Sequence, residues 1–308
     1  MSLRKSRRAI ARASAIGFTL VLTLAPLLAP PPGGSAMASQ VEALPTGAQH
    51  LVSVGGSITE ILYALGEEDR LVARDSTSLY PEAALALPDV GYMRALSPEG
   101  VLSVNPDGIL VLEGSGPPEA IQVLQKASVP LVVIPERFDS QGIIDKIMAV
   151  GQAIGEPEKA EAFAAKVADD LDAARKITAD VKDRKKVLFI LSLQGGKILA
   201  SGTGSAANGI IELAGGENAI TGYSGYKQLT DEAVIEAQPD VVLMMDREGD
   251  LSIDEDELFS HPAIAATPAG KDRQVIRMDG LYLLGFGTRT AAAVKDLAVR
   301  LYDDEITN

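Results

Sequence analysis

Leu96-Ser97-Pro98-Glu99-Gly100-Val101-Leu102-Ser103-Val104-Asn105-Pro106-Asp107 aligns without a gap on Leu229-Thr230-Asp231-Glu232-Ala233-Val234-Ile235-Glu236-Ala237-Gln238-Pro239-Asp240. Ser97 and Thr230 are natural helix N-caps, because a short side-chain oxygen can accept from a backbone N–H of the first turn. Glu99 and Glu232 fall in that turn, where the positive end of the helix dipole favours a carboxylate. The Pro ends each helix, and an apolar run follows at once: Gly108–Leu112 in one copy, Val241–Met244 in the other. A helix-then-strand unit written twice predicts two similar lobes with a cleft between them.

The same grammar extends outward. Leu51–Val54 reads as a strand ending at Gly55-Gly56. Ser57 then caps a helix through Ile58, Ile61, Leu62 and Leu65, stopped by Gly66. Leu71–Ala73 and Leu131–Ile134 are further strands, with helices expected at 97–104, 117–127 and 140–154. Around the second copy, Lys186–Leu191 and Val275-Ile276 read as strands, and 205–214 and 290–302 as helices. Between the two sets, residues 157–182 form one helical pattern, with Ala160, Phe163, Ala164, Val167, Leu171 and Ala174 on a single face. At 1.5 Å per residue such a helix is about 39 Å long, suited to a strut. The expected fold is α/β: two Rossmann-like lobes, residues 48–154 and 186–308, joined by the interlobe helix at 157–182. Ligands of such sheets sit outside the carboxyl ends of the strands.

Composition narrows the chemistry. The 308 residues include 28 basic and 42 acidic side chains, a net charge of −14. That balance is unfavourable for binding nucleic acid through its phosphates. No Cys is present, which rules out thiolate metal sites, disulfides and Cys nucleophiles. Two His, His50 and His261, disfavour a His-rich cage and with it a zinc or manganese carrier. The N-terminus carries Arg4, Lys5, Arg7, Arg8 and Arg12, then an apolar run over residues 13–29, then Ala36-Met37-Ala38. This is a secretory signal peptide over residues 1–38 with cleavage expected after Ala38; Pro26 interrupts a run already short for a membrane span. Arg7-Arg8 leaves Sec and twin-arginine export both open. Removing the segment takes the net charge from −14 to −19.

Arg74-Asp75-Ser76-Thr77-Ser78, Leu87-Pro88-Asp89-Val90-Gly91-Tyr92-Met93-Arg94-Ala95-Leu96-Ser97, Leu213-Ala214-Gly215-Gly216-Glu217-Asn218 and Met278–Gly287 complete the pattern. With them the mature chain resembles the periplasmic binding proteins that feed ABC importers of haem, cobalamin and ferric siderophores. It is most similar to the haem-binding branch, through Gly91-Tyr92-Met93-Arg94-Ala95-Leu96-Ser97. The resemblance implies a non-enzymatic, monomeric periplasmic carrier of haem b. It would deliver its cargo to a permease dimer in the inner membrane. It assigns the iron ligand to Tyr92. A phenolate is a hard ligand for ferric iron, and a nearby cation such as Arg94 favours the charged form. From the residues alone, Tyr92 reads first as a half-buried loop tyrosine; it is the resemblance that makes it the ligand.

A haem cleft needs apolar walls and a few cations. The candidate walls are Tyr223, Tyr226, Tyr282 and Phe286, taken as loop residues of the second lobe. The candidate propionate partners are Arg74, Arg94 and Arg289. Ser57, at a helix N-terminus, is a further anion candidate. Ser192–Gly196 is placed near the cleft, and neither His50 nor His261 matches a second iron ligand. The resemblance also implies that Glu99 and Glu232 dock on the permease; the alternative is that each simply complements a helix dipole. A cobalamin or siderophore carrier is the nearest competing reading, and an exported α/β hydrolase the next. Other signals are weak: Gly202–Gly209 lacks the Lys of a phosphate loop, Asp254–Glu257 lacks the spacing of a calcium loop, and no Gly-x-Ser-x-Gly elbow occurs.

Overall fold

Strand β1 (Leu51–Val54) is buried along its whole length, as the centre of a parallel sheet covered on both faces must be. The computed structural model describes residues 43–246 and 253–306; the expected signal peptide and its Ala38 junction lie outside them. The first lobe runs β1, α1 (Gly56–Ala64), β2 (Leu71–Arg74), α2 (Pro98–Leu102), β3 (Gly108–Leu112), α3 (Pro118–Lys126), β4 (Leu131–Ile134) and α4 (Ser140–Ile154). Its sheet has the order β2-β1-β3-β4, all parallel. The connecting helix α5 (Pro157–Lys176) follows.

The second lobe runs β5 (Lys186–Gln194), β6 (Lys197–Ser201), α6 (Ala206–Leu213), β7 (Glu217–Asn218), β8 (Tyr226–Gln228), α7 (Asp231–Ala237) and β9 (Val241–Asp246). It continues with α8 (Glu255–Ser260), α9 (Pro262–Ala265), α10 (Pro268–Lys271), β10 (Val275–Asp279), α11 (Gly280–Leu284) and α12 (Thr290–Ile306). β10, β9, β5 and β7 are parallel, while β6 and β8 extend the sheet antiparallel. These two strands are additions to the expected parallel pattern. The Gly195-Gly196 pair, with φ of +57° and +73°, makes the tight turn that folds β6 back on β5.

The repeat holds at atomic detail. Ser97 Oγ accepts from Gly100 N–H in α2, and Thr230 Oγ1 from Ala233 N–H in α7. The equivalent residues Asn105 and Gln238 both adopt left-handed backbone, at φ +50° and +45°. The Asp of each Pro-Asp then clips the neighbouring strand. Asp107 accepts from the N–H of Gln49 and His50, and Asp240 from the N–H of Lys186.

Two expectations are corrected. Helix α1 starts two residues earlier than expected, on the Gly55 N-cap at φ +115°. Ser57 lies inside the helix, buried, with its hydroxyl accepting from Lys146 Nζ at 3.2 Å. It is therefore not an open anion cradle. Helix α5 ends at Lys176 rather than 182, giving about 30 Å of strut. Beyond it the chain turns, and Thr178 packs against Gly215, where a side chain would clash at 2.4 Å.

The buried face of α5, formed by Ala160, Ala164, Val167, Leu171 and Ala174, packs between α4 and α12. One apolar cluster runs from Leu51, Ile58 and Ile61 through this helix to Val187, Phe189 and Leu297. The lobes thus share a core at the hinge. Each fully buried Leu or Ile in it contributes about 1.5–3 kcal/mol. No helix among the described residues is long and apolar enough to cross a membrane.

Candidate functional site

The loop after β2 is built by two buried polar residues. The Asp75 carboxylate accepts from Gly55 N–H, Thr77 N–H, Thr77 Oγ1 and Ser78 Oγ. Ser78, Thr59 and Ser53 continue as a chain of hydroxyls into the first lobe. Arg74 is 8% exposed, and its guanidinium donates to Ala84 O at 3.1 Å and Asp75 O at 3.0 Å, with Asp89 at 3.4 Å. These contacts, from Nε and Nη1, bracket the segment 75–89. This corrects its assignment as a propionate partner: a strand-end Arg surrounded by carbonyls is drawn inward to satisfy them.

That bracket delivers Tyr92. Gly91, at φ +101°, turns the chain, and its carbonyl accepts from Ser76 N–H. Gly116 donates to Met93 O and accepts from Leu96 N–H, which pins the other side of the loop. Met93 is packed into the core, with Thr77 Oγ1 at 3.8 Å from its sulfur. Between these anchors Tyr92 stands 47% exposed, and its phenol oxygen has no hydrogen-bond partner among the described residues. Leu79, Tyr80 and Leu85 add exposed apolar surface to the same segment of the first lobe. Arg94 is exposed and forms no ion pair among the described residues. Its charge acts on Tyr226 of the second lobe, lowering that phenol's pKa slightly against the larger effect of burial.

The second-lobe candidates are ordered rather than open. Tyr226 begins β8 and meets Phe189 edge-on at 6.3 Å. Burial raises its phenol pKa, opposed by the nearby Ala207 N–H and Ser205 hydroxyl and by the Arg94 charge. Ser205 caps α6, so the groups that oppose the burial effect belong to the N-terminus of that helix. The Tyr223 hydroxyl donates to Ala200 O at 2.9 Å, and burial again raises its pKa. Tyr282 lies in α11, not in a loop, and donates to Asp296 at 2.8 Å. Burial first, then the Asp296 carboxylate, push its pKa well above the ordinary phenol value.

Phe286 is only 1% exposed and packs edge-on against Phe138 at 5.2 Å. It is a core residue of the lobe junction, which corrects its assignment as a cleft wall. Arg289 donates to the buried Glu60 carboxylate at 2.7 Å and lies 3.7 Å over the ring of Tyr80. Of the three candidate arginines, Arg94 alone keeps its guanidinium uncommitted.

Glu99 and Glu232 are both exposed, in the first turns of α2 and α7. Its own N–H and the Thr230 hydroxyl hold the Glu232 carboxyl below the usual range. His50 is exposed beside Asp107, at the amino end of β1 and away from the strands' carboxyl ends. His261 is buried rather than surface-like, because its Nε2 faces Gly196 O at 3.1 Å. Ser192–Gly196 is the end of β5 and the β5–β6 turn, and it carries that carbonyl.

Sequence reasoning missed Glu60, Tyr80, Glu136 and Lys146. Nothing in their local patterns distinguishes them from helix and loop residues. A cavity of about 620 Å³ lies elsewhere, between α4, α5 and α6, lined by Phe138, Ser140, Arg175 and Glu212. It holds none of the candidate side chains.

A family model described as "Periplasmic binding protein" matches residues 51–281. The periplasmic haem-binding protein BhuT, solved with two haems, is 39% identical and superposes with a TM-score of 0.78, covering 83% of this chain and 98% of BhuT. The apo periplasmic haem-binding protein RhuT from Roseiflexus sp. RS-1 is 39% identical with a TM-score of 0.79, covering 83% and 99%. The substrate-binding lipoprotein YvrC of Bacillus subtilis is 27% identical over 82% of this chain and 80% of its own. The vitamin B12-binding protein of Vibrio campbellii is 26% identical over 63% of this chain and 70% of its own.

Proposed function

The chain belongs to the periplasmic binding protein family, and from that premise we propose that it captures haem between its lobes through Tyr92 and hands it to an ABC importer. The observation that carries this reading is the exposed Tyr92 phenol without a protein partner, on a loop pinned on both sides. Other exposed tyrosines are common; what sets this one apart is that the backbone around it is fixed while its oxygen is left free. Preorganisation of that kind favours a ligand, because little entropy is lost when the bond forms.

Ferric iron is a hard Lewis acid, and a tyrosinate oxygen suits it. Arg94, two residues on, is the cation available to favour the charged phenolate or to pair with a propionate. Leu79, Tyr80 and Leu85 supply apolar surface for a flat macrocycle. The haem-binding neighbours at 39% identity support haem over other cargo. Glu99 and Glu232, exposed on equivalent capped helices, fit a two-point dock on a two-fold permease. In this reading haem is cargo, the chain performs no chemistry on it, and the carrier acts in the periplasm after export.

The test is a titration of the mature protein with haemin. The expected result is a ferric tyrosinate spectrum in the wild type that vanishes in Tyr92→Phe. Binding of cobalamin with no response to haemin would instead support the reading favoured by the Vibrio campbellii relative.

A further inference from the structure

The two lobes are joined by more than α5. The stretch from Leu281 to Arg289, between β10 and α12, is inserted into the first lobe. Gly56 of α1 lies so close to Leu281 that a side chain there would meet it at 2.7 Å. The carbonyl of Phe286 accepts from Lys146 Nζ at 3.0 Å, across 140 residues of sequence. Lys146 is fully buried and also holds Glu136 at 2.7 Å.

The polar end of this insertion centres on Glu60. Its carboxylate, with 2% of the side chain exposed, accepts from Arg289 Nη2 at 2.7 Å, Arg289 Nε at 3.2 Å and Thr288 Oγ1 at 3.0 Å. Gly287 packs so tightly that a Cβ would stand 2.8 Å from Glu60 Oε2. The Arg289 guanidinium is in turn stacked on Tyr80 of the first lobe at 3.7 Å and faces Tyr282 of the second at 5.3 Å. Two guanidinium N–H groups converge on Glu60 Oε1 while Thr288 holds Oε2, which fixes the Arg289 head against the carboxylate, and a cation over an aromatic face adds a second constraint in a different direction. One side chain of the second lobe is therefore gripped by a carboxylate and a ring of the first.

We propose that Arg289, oriented by Glu60, is an interlobe latch that sets the width of the cleft, and that Glu60 is a positioning residue for cargo retention rather than a core acid. This rests on the haem-carrier reading for the identity of the cargo, but not for the latch itself. A lock of this kind explains why Arg289 is committed to protein partners while Arg94 is free. It also assigns a purpose to a buried carboxylate whose alternative would be an apolar residue of similar size, since a buried pair stabilises a fold little more than hydrophobic packing does. What the pair supplies is a defined geometry.

The chain has no Cys, so spin labels can be placed at will. Glu119→Cys on α3 and Glu236→Cys on α7, both exposed, report the interlobe distance by pulsed electron resonance. The expected result is a longer and broader distance distribution in Glu60→Gln and Arg289→Ala than in the labelled parent. Haem release should be about tenfold faster, with the tyrosinate spectrum retained. Tyr80→Leu should give a smaller change in the same direction, and it serves if Glu60→Gln does not fold. An unchanged distance distribution in all three variants overturns the latch. Weaker haem binding at unchanged distance overturns it too, and makes Arg289 a propionate contact. If the labelled parent fails to bind haemin, the cargo assignment falls while the distance measurement still decides the latch.

Discussion

Tyr92 in the first lobe and Tyr226 in the second are treated by the protein in opposite ways. Tyr92 is 47% exposed, and its oxygen has no partner among the described residues. Tyr226 is half-buried, meets Phe189 edge-on, and has its phenol pKa raised by that burial. The hydroxyls of Tyr223, Tyr282 and Tyr302 are bonded within the second lobe. The lobes share a repeat, but one spends its polar contacts on the backbone around a phenol and the other on the phenols themselves. A rigid loop with a free side chain is what a ligand site requires; a rigid side chain in a satisfied network is what a wall requires.

The largest test of that contrast is the pair Tyr92→Phe and Tyr226→Phe. Loss of Tyr92 should weaken haem binding by more than about 100-fold, since even residues that only support a metal ligand cost 10–100-fold. Tyr226→Phe should change affinity by no more than about threefold, read by competition in the Soret band. The arginines give the next test. Arg74→Ala leaves buried carbonyls and Asp89 without their donor and should lower the unfolding free energy by about 2–4 kcal/mol in urea. Arg94→Ala should leave that stability unchanged and weaken haem binding by about tenfold, the value of a charge-assisted hydrogen bond. The reverse outcome would exchange their roles.

The double variant Glu99→Ala, Glu232→Ala should bind haemin as the parent does. Haem uptake into vesicles carrying the permease should fall by about fivefold, with each single variant intermediate. The smallest effect concerns pH. The phenols of Tyr223, Tyr226 and Tyr282 have raised pKa values in the folded protein, chiefly through burial. The unfolded chain loses those protons first, so their contribution is fully present below pH of about 10 and is lost as pH rises above it. Thermal unfolding should therefore move to lower temperature between about pH 10 and 11, and Tyr282→Phe should flatten that decline.

Most of the architecture was legible because it is local. The N-caps Ser97 and Thr230 and the paired Pro-Asp motifs are written in sequence and recur in the structure. Helix α4 matches its expected span of 140–154. Strands β6 and β8 were not legible, because Lys197–Ser201 and Tyr226–Gln228 are short and mixed in polarity, and only their pairing makes them strands. Of the residues read from the 91–97 motif, Tyr92 and Arg94 are exposed in the structure, as a ligand-facing loop requires. Arg74 and Phe286, read from motifs in the same way, are instead buried in the scaffold.

Sequence by itself determined the repeated α/β units, the connecting helix and the loop that bears Tyr92, since caps, turns and apolar periodicity act within a few residues of one another. Tertiary structure alone decided which arginines are free and which phenols are bonded. It alone joined Glu60 to Arg289 and buried Lys146 against Phe286. The last two bring together groups more than a hundred residues apart, and all of them turn on a low-dielectric interior, where an unpaired charge or donor is costly and every neighbour counts.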